Sequence, residues 1–159
     1  TNGYLTNPIL YLSLYLKQNR SEYYELLSNV RIKGRYERWI KFFLKGIADT
    51  SKKVLKAINE INNLKDNWTK KIIKLNKNNE RQLLKRLDFI FEMPYFNAND
   101  IINNLKVSRV TANRNIKTFL DLNIIQYQEQ NKEKFNTYKV TKYLDILEKG
   151  TELLTISHD

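Results

Sequence analysis

Helix breakers are almost absent from this chain: four Gly and two Pro stand among 159 residues. Gly costs a helix interior about 1 kcal/mol and Pro about 3 kcal/mol relative to Ala, so a chain poor in both can form long helices. A sandwich or barrel needs turn residues at short, regular intervals, and this sequence does not supply them. The apolar pattern agrees. Trp39, Phe42, Phe43, Ile47, Val54, Leu55, Ile58, Ile61 and Leu64 recur at three- and four-residue spacing, the stripe of long amphipathic helices. Lys52, Lys53, Lys56, Lys70, Lys71, Lys74 and Lys77 mostly occupy the opposite side. With 42% apolar residues and ten Tyr, the chain can bury a core and is not a disordered tail.

Boundaries follow from local chemistry. Asn7-Pro8 is a helix start, with Asn as cap and Pro in the first turn. Ser21 can cap a second helix through Val30, ended near Gly34. Asn76-Lys77-Asn78-Asn79 is the clearest break, because Asn side chains compete with the helix for backbone hydrogen bonds. It divides the sequence into 1–78 and 79–159, with Asn79 able to cap the next helix. Leu83, Leu84, Leu87, Ile90 and Phe91 then make one helix face, stopped by Pro94. Asn97 caps a short helix that carries Asp100 in its first turn and closes near Leu105. After Lys106-Val107, Ser108 caps a third helix with Ala112, Ile116, Phe119 and Leu120 facing inward. Ile124–Glu129 and Thr137–Thr141 read as the two strands of a hairpin around a polar turn, and Tyr143 to Lys149 as a last helix. The fold class is therefore mainly α: a helical segment, then a winged helix-turn-helix with a small two-stranded hairpin.

The formal net charge is +11. Lys and Asn are frequent together, as in proteins from AT-rich genomes, so part of this charge follows codon usage. Residues 1–79 hold 16 basic and 6 acidic side chains, and residues 80–159 hold 12 and 11. The excess lies in the first half, where Lys at three- and four-residue spacing is also what any solvated helix face shows.

The strongest local motif runs from Val107 to Lys117. A helix that enters the DNA major groove needs a cap, a small residue against the preceding helix and a polar outer face. Ser108 supplies the cap, Ala112 the small contact, and Arg109, Thr111, Asn113, Arg114 and Lys117 the polar face. Arg suits guanine and Asn adenine, while Lys and Ser more often meet phosphates. Lys106 to Thr118 contains four basic residues and no acidic one. Lys132 and Lys134 add charge at the hairpin tip, offset by Glu129 and Glu133. Winged helices also serve as protein-interaction modules, and a nearly neutral second half has few charges to spare for phosphates. The DNA reading is favoured, with a protein partner beside it.

The residues needed for catalysis are missing from this sequence. It has no Cys, which removes disulfides, thiolate chemistry and thiolate-bound zinc and fits a reducing cytoplasm. His158, one residue from the end, is the only histidine. Glu22 and Glu25 are an ordinary surface pair, and the four Gly are isolated, so no Gly-rich phosphate loop exists. The apolar run from Pro8 to Leu16 is too short to span a bilayer. No catalytic residue, metal site or cofactor is expected in this chain, and no membrane partner.

One resemblance is specific. Gly3-Tyr4-Leu5, Pro8-Ile9-Leu10-Tyr11-Leu12-Ser13, Tyr15, Arg20, Tyr23-Tyr24, Leu27, Val30-Arg31, Gly34, Trp39 and Phe42-Phe43-Leu44-Lys45-Gly46 resemble the segment after the active-site motif of Fic family proteins. Many such proteins end in a winged helix, which residues 80–141 match. Arg35-Tyr36-Glu37 departs from the family, where Asp-Trp often closely follows the Gly. Fic enzymes typically transfer AMP from ATP to a protein hydroxyl through the motif HPFxDGNGR, which supplies a base, a magnesium ligand and an anion-holding turn. That motif is absent from this sequence. The resemblance implies the non-catalytic C-terminal region of an AMP-transferase whose parent uses ATP and magnesium. The winged helix then binds DNA or regulates the enzyme's own catalytic half. Two alternatives stand: a transcription regulator that forms a homodimer through its helical part, and a protein-interaction module.

Overall fold

The computed structural model describes residues 8–75, 80–128 and 136–149. The chain is mainly helical with one small antiparallel sheet, in the order α1 (Pro8–Gln18), α2 (Arg20–Lys33), α3 (Tyr36–Lys74), α4 (Glu80–Glu92), β1 (Tyr95–Asn97), α5 (Ala98–Leu105), α6 (Arg109–Asp121), β2 (Gln126–Tyr127), β3 (Thr137–Lys139) and α7 (Thr141–Lys149). It forms two compact units, Thr1–Glu60 with Leu147–Asp159, and Ile61–Ile146.

In the first unit, α1, α2 and the start of α3 meet through aromatic rings. Phe42 is buried and lies 5.4 Å from Tyr15 and 6.3 Å from Tyr23 between ring centroids. Gly46, one turn further along α3, lets Tyr15 approach: a Cβ there would meet the Tyr15 ring at 2.6 Å. The α2 helix ends on Gly34 with φ 62°, the left-handed conformation that glycine adopts without strain. Ser21 does not cap α2. Asn19 holds that position and makes no side-chain cap bond; its Nδ2 donates to the Tyr15 carbonyl at 2.9 Å.

The apolar stripe on α3 is not one continuous core face. Phe42 is buried and Trp39 and Phe43 half-buried, whereas Ile47, Leu55 and Ile58 are 40%, 61% and 46% exposed. The face packed on α1 and α2 runs through Phe42, Gly46 and Thr50, all buried. Lys52, Lys53, Lys56, Lys70, Lys71 and Lys74 are exposed, as their spacing suggests.

The second unit holds one core. Trp68 and Ile72 from α3 join Leu83, Leu87 and Ile90 of α4, Phe96 of β1, Ile101 of α5, Ile116 and Phe119 of α6, Ile124, Ile125 and Val140. Most of these are fully buried. Asn97 caps α5 in a reciprocal box: its Oδ1 accepts from the Asn99 and Asp100 amides, and Asp100 Oδ2 accepts from the Asn97 amide at 2.7 Å.

The sheet has three strands, not two, in the order β1-β3-β2 and antiparallel throughout. The unforeseen strand is Tyr95–Asn97, with Phe96 opposite Tyr138. Three residues are too few for an alternation to show in sequence, and the pairing partner lies about forty positions away. The expected strand Ile124–Glu129 is shorter than read: Gln126–Tyr127 pair with β3, while Ile124 and Ile125 enter the core. Thr141 begins the last helix rather than ending a strand. The break and division at residues 76–79, the cap positions Asn7 and Asn79, and Lys77 lie outside the described residues.

Candidate nucleic-acid interface

The α6 helix owes its position to two local choices. Lys106 takes a left-handed conformation, φ 49° and ψ 48°, which turns the chain sharply after α5. Ser108 then caps α6: its Oγ accepts from the Thr111 amide at 3.2 Å and shares a hydrogen bond with Thr111 Oγ1 at 2.9 Å. Ala112, Asn115, Ile116, Thr118 and Phe119 are turned inward and buried. The small Ala112, with no exposed surface, lets α6 lie close to its neighbours.

Burial on that side leaves a defined outer face. Arg109, Asn113, Arg114 and Lys117 are all exposed on it. Thr111 is half-buried, with its hydroxyl committed to Ser108, so it stands beside this face rather than on it. Ser108 is exposed at the helix tip. Lys132 and Lys134, with Glu129 and Glu133, lie outside the described residues, as does His158.

Sequence reasoning passed over two members of this surface. Val110 is 77% exposed, the highest value among the described large apolar residues, and its three-, four- and seven-residue neighbours are Asn113, Arg114 and Lys117. Plotting α6 on a helical wheel exposes it; scanning for polar residues does not. Asn99 sits at the start of α5, and Arg109 Nη2 donates to its Oδ1 at 3.2 Å. This bond steadies the guanidinium across the turn between the helices. Asn97, Asn99, Arg109, Asn113, Asn136 and Tyr138 line a cleft of about 230 Å³ beside the α6 N-terminus. Amides and a guanidinium converging there offer both donors and acceptors, the groups that discriminate base edges.

The electrostatics are one-sided. Between Lys106 and Thr118 the side chains are basic or neutral, and Asp121 closes the helix with a negative charge. Behind the face, Arg86 of α4 is buried, and burial followed by the charge of Arg114 pulls its guanidinium below the usual range. Burial, and then Tyr127, raises the Tyr138 hydroxyl, so it stays a neutral donor at physiological pH.

Among the described residues no three His, Asp or Glu side chains gather as a metal site would require, and no helix is long and apolar enough to cross a membrane. A scan against known protein families finds no match for this chain.

Proposed function

We propose that the second unit is a winged helix-turn-helix that binds DNA, with α6 in the major groove and the β2–β3 hairpin as the wing. The observation that carries this reading is the outer face of α6. A capped helix backed by an apolar core presents Arg109, Val110, Asn113, Arg114 and Lys117 together, with no carboxylate until Asp121. Arg109 and Arg114 suit guanine, Asn113 adenine and Val110 a thymine methyl group, with Lys117 on a phosphate.

In this reading the first unit belongs to the C-terminal, non-catalytic region of a Fic-type AMP-transferase, and the DNA-binding unit regulates or targets that enzyme. The feature that supports a receiving role for the helices is their bare apolar surface. Ile40, Leu44, Ile47, Leu55 and Ile58 are each at least 40% exposed along one side of α3, more than a face left to water usually holds. The enzyme's catalytic half would cover it. A homodimer is the competing occupant, favoured by the near-heptad spacing of Ile40, Leu44, Ile47, Val54 and Ile58.

The test is a titration of labelled duplex, from a selected pool, at two salt concentrations. Arg109→Ala or Arg114→Ala should weaken binding by about 1–3 kcal/mol and relax base preference, while Lys117→Ala should weaken all sequences alike and lower the salt slope by about one. Equal weak binding by wild type and Arg114→Ala, with no preferred sequence, would establish the protein-interaction reading instead. If the α6 variants leave the affinity intact while replacing Lys52, Lys53 and Lys56 by Gln removes it, the basic first half is the DNA-binding part.

A further inference from the structure

Arg109 stands where a helix does not favour a cation. It is the first residue of α6, next to the positive end of the helix dipole, and its side chain is exposed. An exposed Arg ordinarily samples many rotamers and loses that freedom when it binds. Here a residue from another helix restrains it. Arg109 Nη2 donates to Oδ1 of Asn99, ten positions earlier, at 3.2 Å. Asn99 is the second residue of α5 and is half-buried. The start of α5 does not need that side chain. The Asn97 and Asp100 side chains make the reciprocal cap, which takes only the backbone amide of Asn99. Asn is also a weaker helix former than Ala, so propensity does not explain it. Both partners line the cleft of about 230 Å³ beside the α6 N-terminus, and among the described residues that line it Arg109 alone carries a charge.

We propose, on the DNA reading above, that Asn99 is a positioning residue for base recognition, its amide oxygen restraining the Arg109 guanidinium beside the α6 N-terminus before DNA arrives. A neutral acceptor suits this role. One N–H goes to Asn99, and the planar fork keeps enough donors for a bidentate pair with guanine O6 and N7. A carboxylate at the same point would hold the guanidinium as firmly, but it would cancel the charge and repel phosphates. Asn99 therefore sharpens discrimination more than affinity. A freely rotating Arg still finds phosphates in any sequence, whereas a base edge rewards one orientation.

Duplex titration with the full chain reads two quantities. One is the salt slope. The other is the affinity ratio between the preferred duplex and a duplex changed at the base pair where Arg109→Ala relaxes preference. Asn99→Ala should reduce that ratio roughly 2- to 10-fold, the worth of one restrained side chain, and leave the salt slope and Tm near those of wild type. In an Arg109→Ala background the same change should leave the ratio as it was. Asn99→Asp, of the same shape, should keep the ratio, weaken both duplexes and lower the salt slope by about one. An unchanged ratio in Asn99→Ala overturns the proposal. So does an equal drop in the Arg109→Ala background, which would mean that Asn99 touches DNA itself. The DNA reading survives both results. A lower Tm for Asn99→Ala with weaker binding to every duplex assigns the side chain to the fold and also overturns the proposal. If wild type binds no duplex, the DNA reading and the role of Asn99 fall together.

Discussion

The two units bury their apolar side chains very differently. In the first, Leu26 and Phe42 are the buried apolar residues among those described, while Tyr24, Ile32, Tyr36, Ile40, Leu44, Ile47, Leu55 and Ile58 stand exposed. The second buries fifteen apolar residues in one cluster and exposes Ile73, Tyr95, Val110 and Tyr127. Both have similar raw material, so the contrast comes from geometry. In the first unit α1, α2 and the start of α3 meet at a few aromatic contacts and cover only what lies between them. In the second unit, helices from several directions and a sheet enclose a volume, and apolar side chains from all of them meet inside. Among the described residues, the first unit leaves apolar side chains open along α3, while the second encloses most of its own and exposes the polar face of α6.

That contrast makes Trp68 the position of largest expected effect. It is 1% exposed, packs 5.5 Å from Phe91 ring to ring, and is carried by the same helix as Phe42. Trp68→Ala should cost about 3–5 kcal/mol. Phe42→Ala, in the thinner unit, should lose less. Urea unfolding of both variants decides the matter, and equal losses would show that the first unit is as tightly held as the second.

Gly46 probes a close approach in the first unit. Gly46→Ala gains helix propensity but drives a methyl group into the Tyr15 ring, and overpacking of this kind costs about 1–3 kcal/mol. Adding Tyr15→Leu should recover most of the loss. A Gly46→Ala variant as stable as wild type, measured by Tm, would mean that α1 can shift away freely.

A smaller effect of opposite sign is expected at Asn115. Its side chain is fully buried in the second unit, and neither Oδ1 nor Nδ2 has a partner. Leu has a similar volume and no polar atoms, so Asn115→Leu should stabilise by about 1 kcal/mol, the desolvation penalty of unpaired groups being removed. A destabilised variant would reveal that this amide is satisfied in solution.

The smallest change should come from the bare face itself. Leu55 is 61% exposed, so Leu55→Gln should alter the stability of the chain by less than about 0.5 kcal/mol. A loss well above that, in the same unfolding assay, would show the face to be covered within the folded chain.

Much of the local structure was legible in the sequence because it depends on near neighbours. Asn97 and Ser108 cap the helices they were expected to cap, Gly34 ends α2, and Ala112, Ile116 and Phe119 point inward. Arg109, Asn113, Arg114 and Lys117 were recognisable as an outer face because helical spacing alone separates them from the inward residues. Ser21 does not cap α2 because the helix already begins at Arg20, which places Ser21 within its first turn.

Tertiary structure decided what depends on distant partners. Tyr95–Asn97 becomes a strand only because Thr137–Lys139 lies alongside it. Trp68 and Ile72 belong to the second core although their helix begins in the first unit, and nothing in a periodic apolar pattern tells which neighbour each turn will meet. For the same reason Phe42 is buried and Leu55 is not. Likewise, Arg86 reads as one more basic residue on an amphipathic helix. Only the packed structure reveals an enclosed guanidinium whose Nε has no partner among the described residues, since burial is a property of everything around a side chain and not of the residues beside it in sequence.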